Sequence, residues 1–143
     1  MMLTGTYERN LDAKGRLSLP AAIRKQLSDH VYVLPAPDVD ALYIFSDDEY
    51  EKWVMGLFEK RGGFDSRKRE DQALMRKLNA MATPMDIDSA SRIGLSEALR
   101  GKAGLDREVT VVGNYDHLEI WDRARWDEAN EASDDDLTDL FFS

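Results

Sequence analysis

The chain has 143 residues and a formal net charge of −9, from 19 Lys plus Arg against 28 Asp plus Glu. A hydrophobic share of 43% excludes a wholly disordered chain, and the length suits one ordinary domain or two small units sharing a core. There is no cysteine, which excludes disulfides and thiolate zinc sites. No apolar run approaches the ~20 residues of a membrane helix, and Met1 to Gly5 do not read as a signal peptide, so a cytoplasmic protein is expected.

A negative total argues against a nucleic-acid binder only if the charge is spread evenly. It is not. Residues 1–82 carry 13 basic and 13 acidic groups, whereas residues 83–143 carry 6 basic and 15 acidic ones. Seven of those acids lie between Asp127 and Ser143, a stretch without a basic residue. The first 20 residues are slightly positive, with Arg9, Lys14 and Arg16 against Glu8 and Asp12.

In chain order, Asp12-Ala13-Lys14-Gly15 has turn chemistry, with Asp at the first turn position and Gly at the left-handed position of a hairpin loop. Leu17 and Leu19 alternate with Ser18 as in a strand, and Pro20 suits the first turn of a short helix that faces Ile23 and Leu27 inward. Val31 to Leu34 and Leu42 to Phe45 read as two strands around a Pro- and Asp-rich turn. Ser46 to Glu49 forms a capping box opening a helix, whose apolar face is Trp53, Val54, Leu57 and Phe58. Lys60 and Arg61 suit its negative end, and Gly62-Gly63 breaks it. A second helix spans about Ser66 to Ala82, with Leu74, Met75, Leu78 and Met81 on one side. The two apolar faces are expected to pack on the body of the domain or on another subunit.

The remainder repeats the beginning at an offset of 76 residues: Asp12, Arg16, Leu19, Ala22 and Arg24 recur as Asp88, Arg92, Leu95, Ala98 and Arg100. Leu42 to Phe45 aligns with Leu118 to Trp121, and Tyr50 with Trp126. Ser96 is a helix cap and Gly104 a stop, and Val109–Val112 and Leu118–Trp121 read as a hairpin across Gly113 to Asp116. Each copy is strand, strand, short helix, strand, strand. Two copies suggest a pseudo-symmetric pair, each covering the other's apolar face. A last helix holds Trp126 and fades into the acidic tail.

The tandem Asp-x-x-x-Arg motifs, in the contexts NLDAKGRLSLP and DIDSASRIGL, resemble the MraZ family within the AbrB-like (SpoVT/AbrB) superfamily, as do the helical insert and VVGNYDHLEIWD. The resemblance runs from Gly5 to about Trp126. It implies an α+β fold, a swapped-hairpin β-barrel formed by two tandem ββαββ repeats in one chain with a helical insert. The repeats would occupy residues 5–47 and 83–126, with the insert at 48–82 and the acidic tail at 127–143. It also implies a sequence-specific DNA-binding transcriptional regulator. Such a protein would act as a ring-like homo-oligomer on short G-rich direct repeats, upstream of its own operon of division and cell-wall genes, and would associate with the nucleoid.

On that reading Arg16, Lys14, Arg9 and Gly15 form the main DNA contact, with Arg92 a second one. Arginine reads guanine through two hydrogen bonds in the major groove, and a β-hairpin tip fits there. Lys14 and Gly15 become Ala90 and Ser91 in the second copy, which loses a charge and a glycine, so that copy is assigned to structure or subunit contact. Asp12 and Asp88 are expected to hold their turns and the following arginines. Arg67-Lys68-Arg69 reads as a solvated helix face, and Arg24 and Arg100 fit either role. His30 and His117 read as isolated structural histidines, and Asp86 with Asp88 lacks a third metal ligand. No catalytic motif, metal site, cofactor or small-molecule substrate is expected. Two rival readings are an AbrB-type antitoxin whose tail holds a toxin, and a ligand-binding or enzymatic barrel.

Overall fold

The computed structural model describes residues 2–131 and 135–143. The first half runs β1 (Thr6–Asn10), β2 (Arg16–Ser18), α1 (Ala21–Arg24), β3 (His30–Pro35) and β4 (Ala41–Ser46). Two helices follow, α2 (Asp47–Glu59) and α3 (Arg69–Met81). The second half repeats the order as β5 (Thr83–Asp86), β6 (Arg92–Gly94), α4 (Glu97–Ala103), β7 (Glu108–Asn114) and β8 (His117–Asp122). Helices α5 (Arg123–Ala129) and α6 (Asp135–Phe142) close the chain.

The halves interleave. A six-stranded antiparallel sheet has the order β1-β7-β8-β4-β3-β5, and a separate ribbon pairs β2 with β6. Exchanging each strand for its counterpart in the other half reverses the order of the sheet and leaves it otherwise unchanged. In the ribbon Leu17 lies opposite Ile93, and the rungs Leu19 N–H to Ser91 O (2.9 Å) and Leu95 N–H to Gly15 O (3.0 Å) extend it symmetrically.

Two expectations change here. The sheet is open, with β1 and β5 at its edges, so there is no closed barrel. The β2–β6 ribbon forms a separate two-stranded sheet and pairs with neither edge strand. Nor do β1 and β2 pair as a hairpin: β1 pairs with β7 and β2 with β6. Residues Asp12 to Arg16 form a corner carrying the chain from the sheet to the ribbon.

Two apolar clusters hold the fold. The main one joins both halves, with Leu17, Ile23, Val31, Leu42 and Ile44 against Ile93, Leu95, Val109, Val111, Leu118 and Ile120. Strand β4 is buried on both faces. Leu42 and Ile44 enter the main core, while Tyr43 and Phe45 meet Tyr50, Val54 and Phe58 of α2 in the second cluster. The helical insert therefore covers the outer sheet face through every fourth residue of α2, a one-sided helical stripe. The stripe is narrower than expected. Trp53, Met75 and Leu78 pack at its margin, but Leu57, Leu74 and Met81 are 38–40% exposed.

Of helices α1 to α5, only α4 starts on a side-chain cap. Ser96 Oγ accepts from Leu99 N–H (3.1 Å), and Gly104 ends α4 at φ +64°. Ser46 does precede α2, but its side chain makes no cap bond, so the capping box is not formed. Ser46 Oγ instead accepts from Ser28 N–H (3.0 Å), as Asp122 Oδ1 accepts from Asp106 N–H (3.1 Å) in the second half. Helix α3 begins three residues later than expected, after a turn closed by Lys68 N–H to Asp65 O (3.0 Å).

Candidate functional site

The two Asp-x-x-x-Arg segments form the same turn. Asp12 N–H donates to Arg16 O (3.1 Å) and Gly15 N–H to Asp12 O (2.9 Å). Asp12 Oδ1 accepts from the backbone N–H of Lys14 (2.9 Å) and Arg16 (2.8 Å), and Oδ2 from Arg16 Nε (2.6 Å). In the second half Asp88 Oδ1 accepts from Ala90 and Arg92 N–H (both 2.9 Å), and Oδ2 from Arg92 Nε (3.0 Å). The backbone N–H of Arg16, the largest influence, lowers the Asp12 carboxyl to about 2 together with the Arg16 side chain and the Lys14 N–H, against the opposing effect of burial. Asp88 is shifted down in the same way, first by the Arg92 N–H. Both carboxylates are committed to their own turns.

That commitment has a consequence for the arginines. Each spends Nε on its carboxylate and leaves both Nη groups without a partner among the described residues. A half-buried stem, a fixed Nε and two free donors make a pre-organised fork for an acceptor pair outside the protein. Lys14 is exposed two residues before Arg16, its side chain unpaired among the described residues. Arg9 stands on β1, its guanidinium 6.0 Å from the Tyr7 ring centroid and donating to Glu8 O (2.8 Å).

The turns differ at the left-handed position. Gly15 has φ +76° and Ser91 φ +61°. Gly15 is also packed: a Cβ there would lie 2.7 Å from Leu95 O and 2.9 Å from Arg100 Nε. The 76-residue recurrence singled out Arg24 and Arg100 without deciding between them. The structure separates them. Arg24 donates to Leu27 O (3.1 Å) and pairs with Asp29, while Arg100 lies against the first turn and donates from Nε to Leu95 O (3.1 Å).

Arg61, Arg67, His30 and His117 have local partners. Arg61 reaches Glu70 (2.6 Å), and Arg67 lies 3.6 Å from Asp65. His30 pairs with Asp86 (2.8 Å). His117 is buried at the β7–β8 turn, bonded through Nδ1 to Asp116 (2.7 Å) and Nε2 to Glu119 (3.0 Å). Glu119 also accepts from Asn114 (2.8 Å) and Trp121 Nε1 (2.9 Å). Burial opposes charge on both. The hydrogen bonds prevail, raising His117 above its ordinary value and lowering Glu119 to about 2. Periodicity carries no sign of this network, because its members alternate along one strand and meet through the turn. Among the described residues no group of three or more His, Asp or Glu has the geometry to hold a metal ion. No helix there is long and apolar enough to cross a membrane.

The fold and site define an α+β protein whose interleaved halves each carry one carboxylate-locked arginine turn. The chain belongs to the MraZ family of transcriptional regulators. It matches the family described as "MraZ protein, putative antitoxin-like" over residues 2–73 and 78–140. It is 38% identical over 137 residues to the transcriptional regulator MraZ of Corynebacterium urealyticum, covering 95% of this chain and 92% of the relative. It is 36% identical over 138 residues to that of Mycolicibacterium smegmatis, covering 96% and 92%. The Spiroplasma kunkelii protein of the same name is 35% identical over 127 residues, covering 89% and 86%.

Proposed function

We propose that this regulator binds duplex DNA as a homo-oligomer, reading guanine with Arg16 of the first turn. The observation that carries the reading is the Arg16 guanidinium, anchored at Nε by Asp12 with both Nη groups free. That arrangement suits the two acceptors of guanine in the major groove, O6 and N7. Lys14 and Arg9 contribute phosphate contacts, and Gly15 holds the turn. Arg92 is a second, weaker contact, since its turn lacks the neighbouring lysine and carries Asp86 and Asp88. Residues 5–47 are thus the main DNA-binding unit. The palindromic strand order supports a single-chain version of a swapped-hairpin pair.

One turn offers few charges, so affinity comes from several copies on a ring facing short G-rich direct repeats, through effective concentration. The targets are repeats upstream of the protein's own operon, which places it with the nucleoid. A gel shift on that upstream region tests the reading. Arg16→Ala is expected to abolish the shifted band, because a bidentate guanine contact contributes about 1–3 kcal/mol per site and the ring multiplies it. The thermal melt should stay near that of the parent, as Arg16 supports no apolar core. An unchanged shift overturns the assignment.

A further inference from the structure

We infer that Arg100 is a DNA-phosphate contact which the second half of the chain supplies to the turn of the first. The inference rests on the DNA-binding reading above and extends its site to an element 76 residues downstream of Arg24. Three observations support it.

First, the symmetry-related arginines have different fates. Arg24 uses one Nη on Leu27 O (3.1 Å) and the other on Asp29. Arg100 uses only Nε, on Leu95 O (3.1 Å), and its Nη groups have no partner among the described residues. Second, Arg100 stands at the functional turn. Its Cζ is 3.1 Å from where a Gly15 Cβ would be, and Leu95, whose carbonyl it holds, donates its N–H to Gly15 O (3.0 Å). The guanidinium is therefore fixed to the rung that shapes the Lys14–Arg16 corner. Third, the space in front of it is open. Leu11, Asp12, Ala13, Arg100, Asp106 and Arg107, among others, line a cavity of about 400 Å³.

The charge there favours an anion. Arg100 and Arg107 stand there against Asp12 and Asp106, and the Asp12 carboxylate is already paired with Arg16. Arg107 is exposed, with no side-chain partner among the described residues, and its carbonyl accepts from Leu11 N–H (2.8 Å), which ties it to the same corner. A planar fork with two free donors matches the oxygens of a phosphodiester. Arg100 is half-buried against the turn at Gly15, which fits the flanking backbone better than a base edge in the groove.

The test is fluorescence anisotropy of the full chain on two duplexes, one from its upstream region and one unrelated, across a salt series. Arg100→Gln keeps a donor for Leu95 O and removes the charge. It is expected to weaken both duplexes by a similar factor, about three- to tenfold, and to lower the slope of log K against log salt by about 0.9 per bound copy. Arg100→Lys should restore most of the slope. A merely structural arginine would instead lower the melting temperature and leave the slope alone. Parental affinity and slope in Arg100→Gln overturn the inference, as does a loss of affinity that follows a fall in melting temperature without a change of slope. Arg16→Ala separates the two readings. If it abolishes specific binding while Arg100→Gln is silent, only the Arg100 assignment fails. If the parent protein binds neither duplex, both fail.

Discussion

Gly15→Ala is expected to destabilise the protein by about 2 kcal/mol, with the components set by the turn. At φ +76° an alanine incurs about 1–2 kcal/mol of left-handed strain. Its Cβ would also lie 2.7 Å from Leu95 O, a backbone atom that cannot swing away. Relieving the overlap lengthens the 3.0 Å bond from Leu95 N–H to Gly15 O, a further loss of about 1 kcal/mol. Alanine stiffens the unfolded chain, which returns about 0.4–1 kcal/mol. With a urea m-value of about 2 kcal/mol/M, the midpoint should fall by about 1 M at unchanged m. Position 91 is the built-in control. Ser91 already sits at φ +61°, so Ser91→Gly relieves the strain at the entropic disadvantage of glycine and should stabilise by about 0.5–1 kcal/mol. Urea titrations followed by tryptophan fluorescence and circular dichroism read both variants. A Gly15→Ala midpoint within about 0.5 kcal/mol of the parent, the range of ordinary surface changes, refutes the close-packing argument.

The buried network at the β7–β8 turn makes stability depend on pH in two directions. His117 is raised above 6.5, so its contribution is complete below that pH and lost as pH climbs through the folded value. Glu119 is lowered from 4.5 to about 2, so its contribution is complete above 4.5 and lost as pH falls toward 2. The network therefore stabilises most between about pH 4.5 and 6.5, and His117→Gln should flatten the decline above 6.5; a urea midpoint that declines there as in the parent sinks the assignment. Across the ribbon, Leu17→Ala and Ile93→Ala should each cost about 2–5 kcal/mol, as both side chains are at most 1% exposed. Because the two face each other, the double variant should deviate from additivity by about 0.5 kcal/mol or more in equilibrium unfolding, and strict additivity would place them in separate units.

Much of the backbone was legible in local pattern. Alternating Leu17 and Leu19, the cap at Ser96, the stop at Gly104 and the left-handed sites at 15 and 91 all follow from short-range preferences of φ, ψ and side-chain period. The 76-residue recurrence made the two halves comparable, and so marked Arg16 and Arg92, with their aspartates, as candidates. Segment-wise charge also showed that the −9 total belongs to the second half and its tail rather than to the first turn.

Which strand meets which was decided only in three dimensions. A turn sequence between β1 and β2 permits a hairpin, but β1 pairs with β7 and β2 with β6, so the chain turns a corner between sheet and ribbon. The same long-range packing covers both faces of β4, leaves half of the α3 stripe in water, and buries His117 against Glu119. It also separates Arg24 from Arg100. Equal in sequence, they differ because only Arg24 meets an aspartate, while Arg100 is left beside the glycine of the other half. Local sequence sets backbone angles and periodicity. The partner of a side chain is set by the joint requirement that every apolar face be covered and every buried polar group bonded, and only the assembled fold satisfies that requirement.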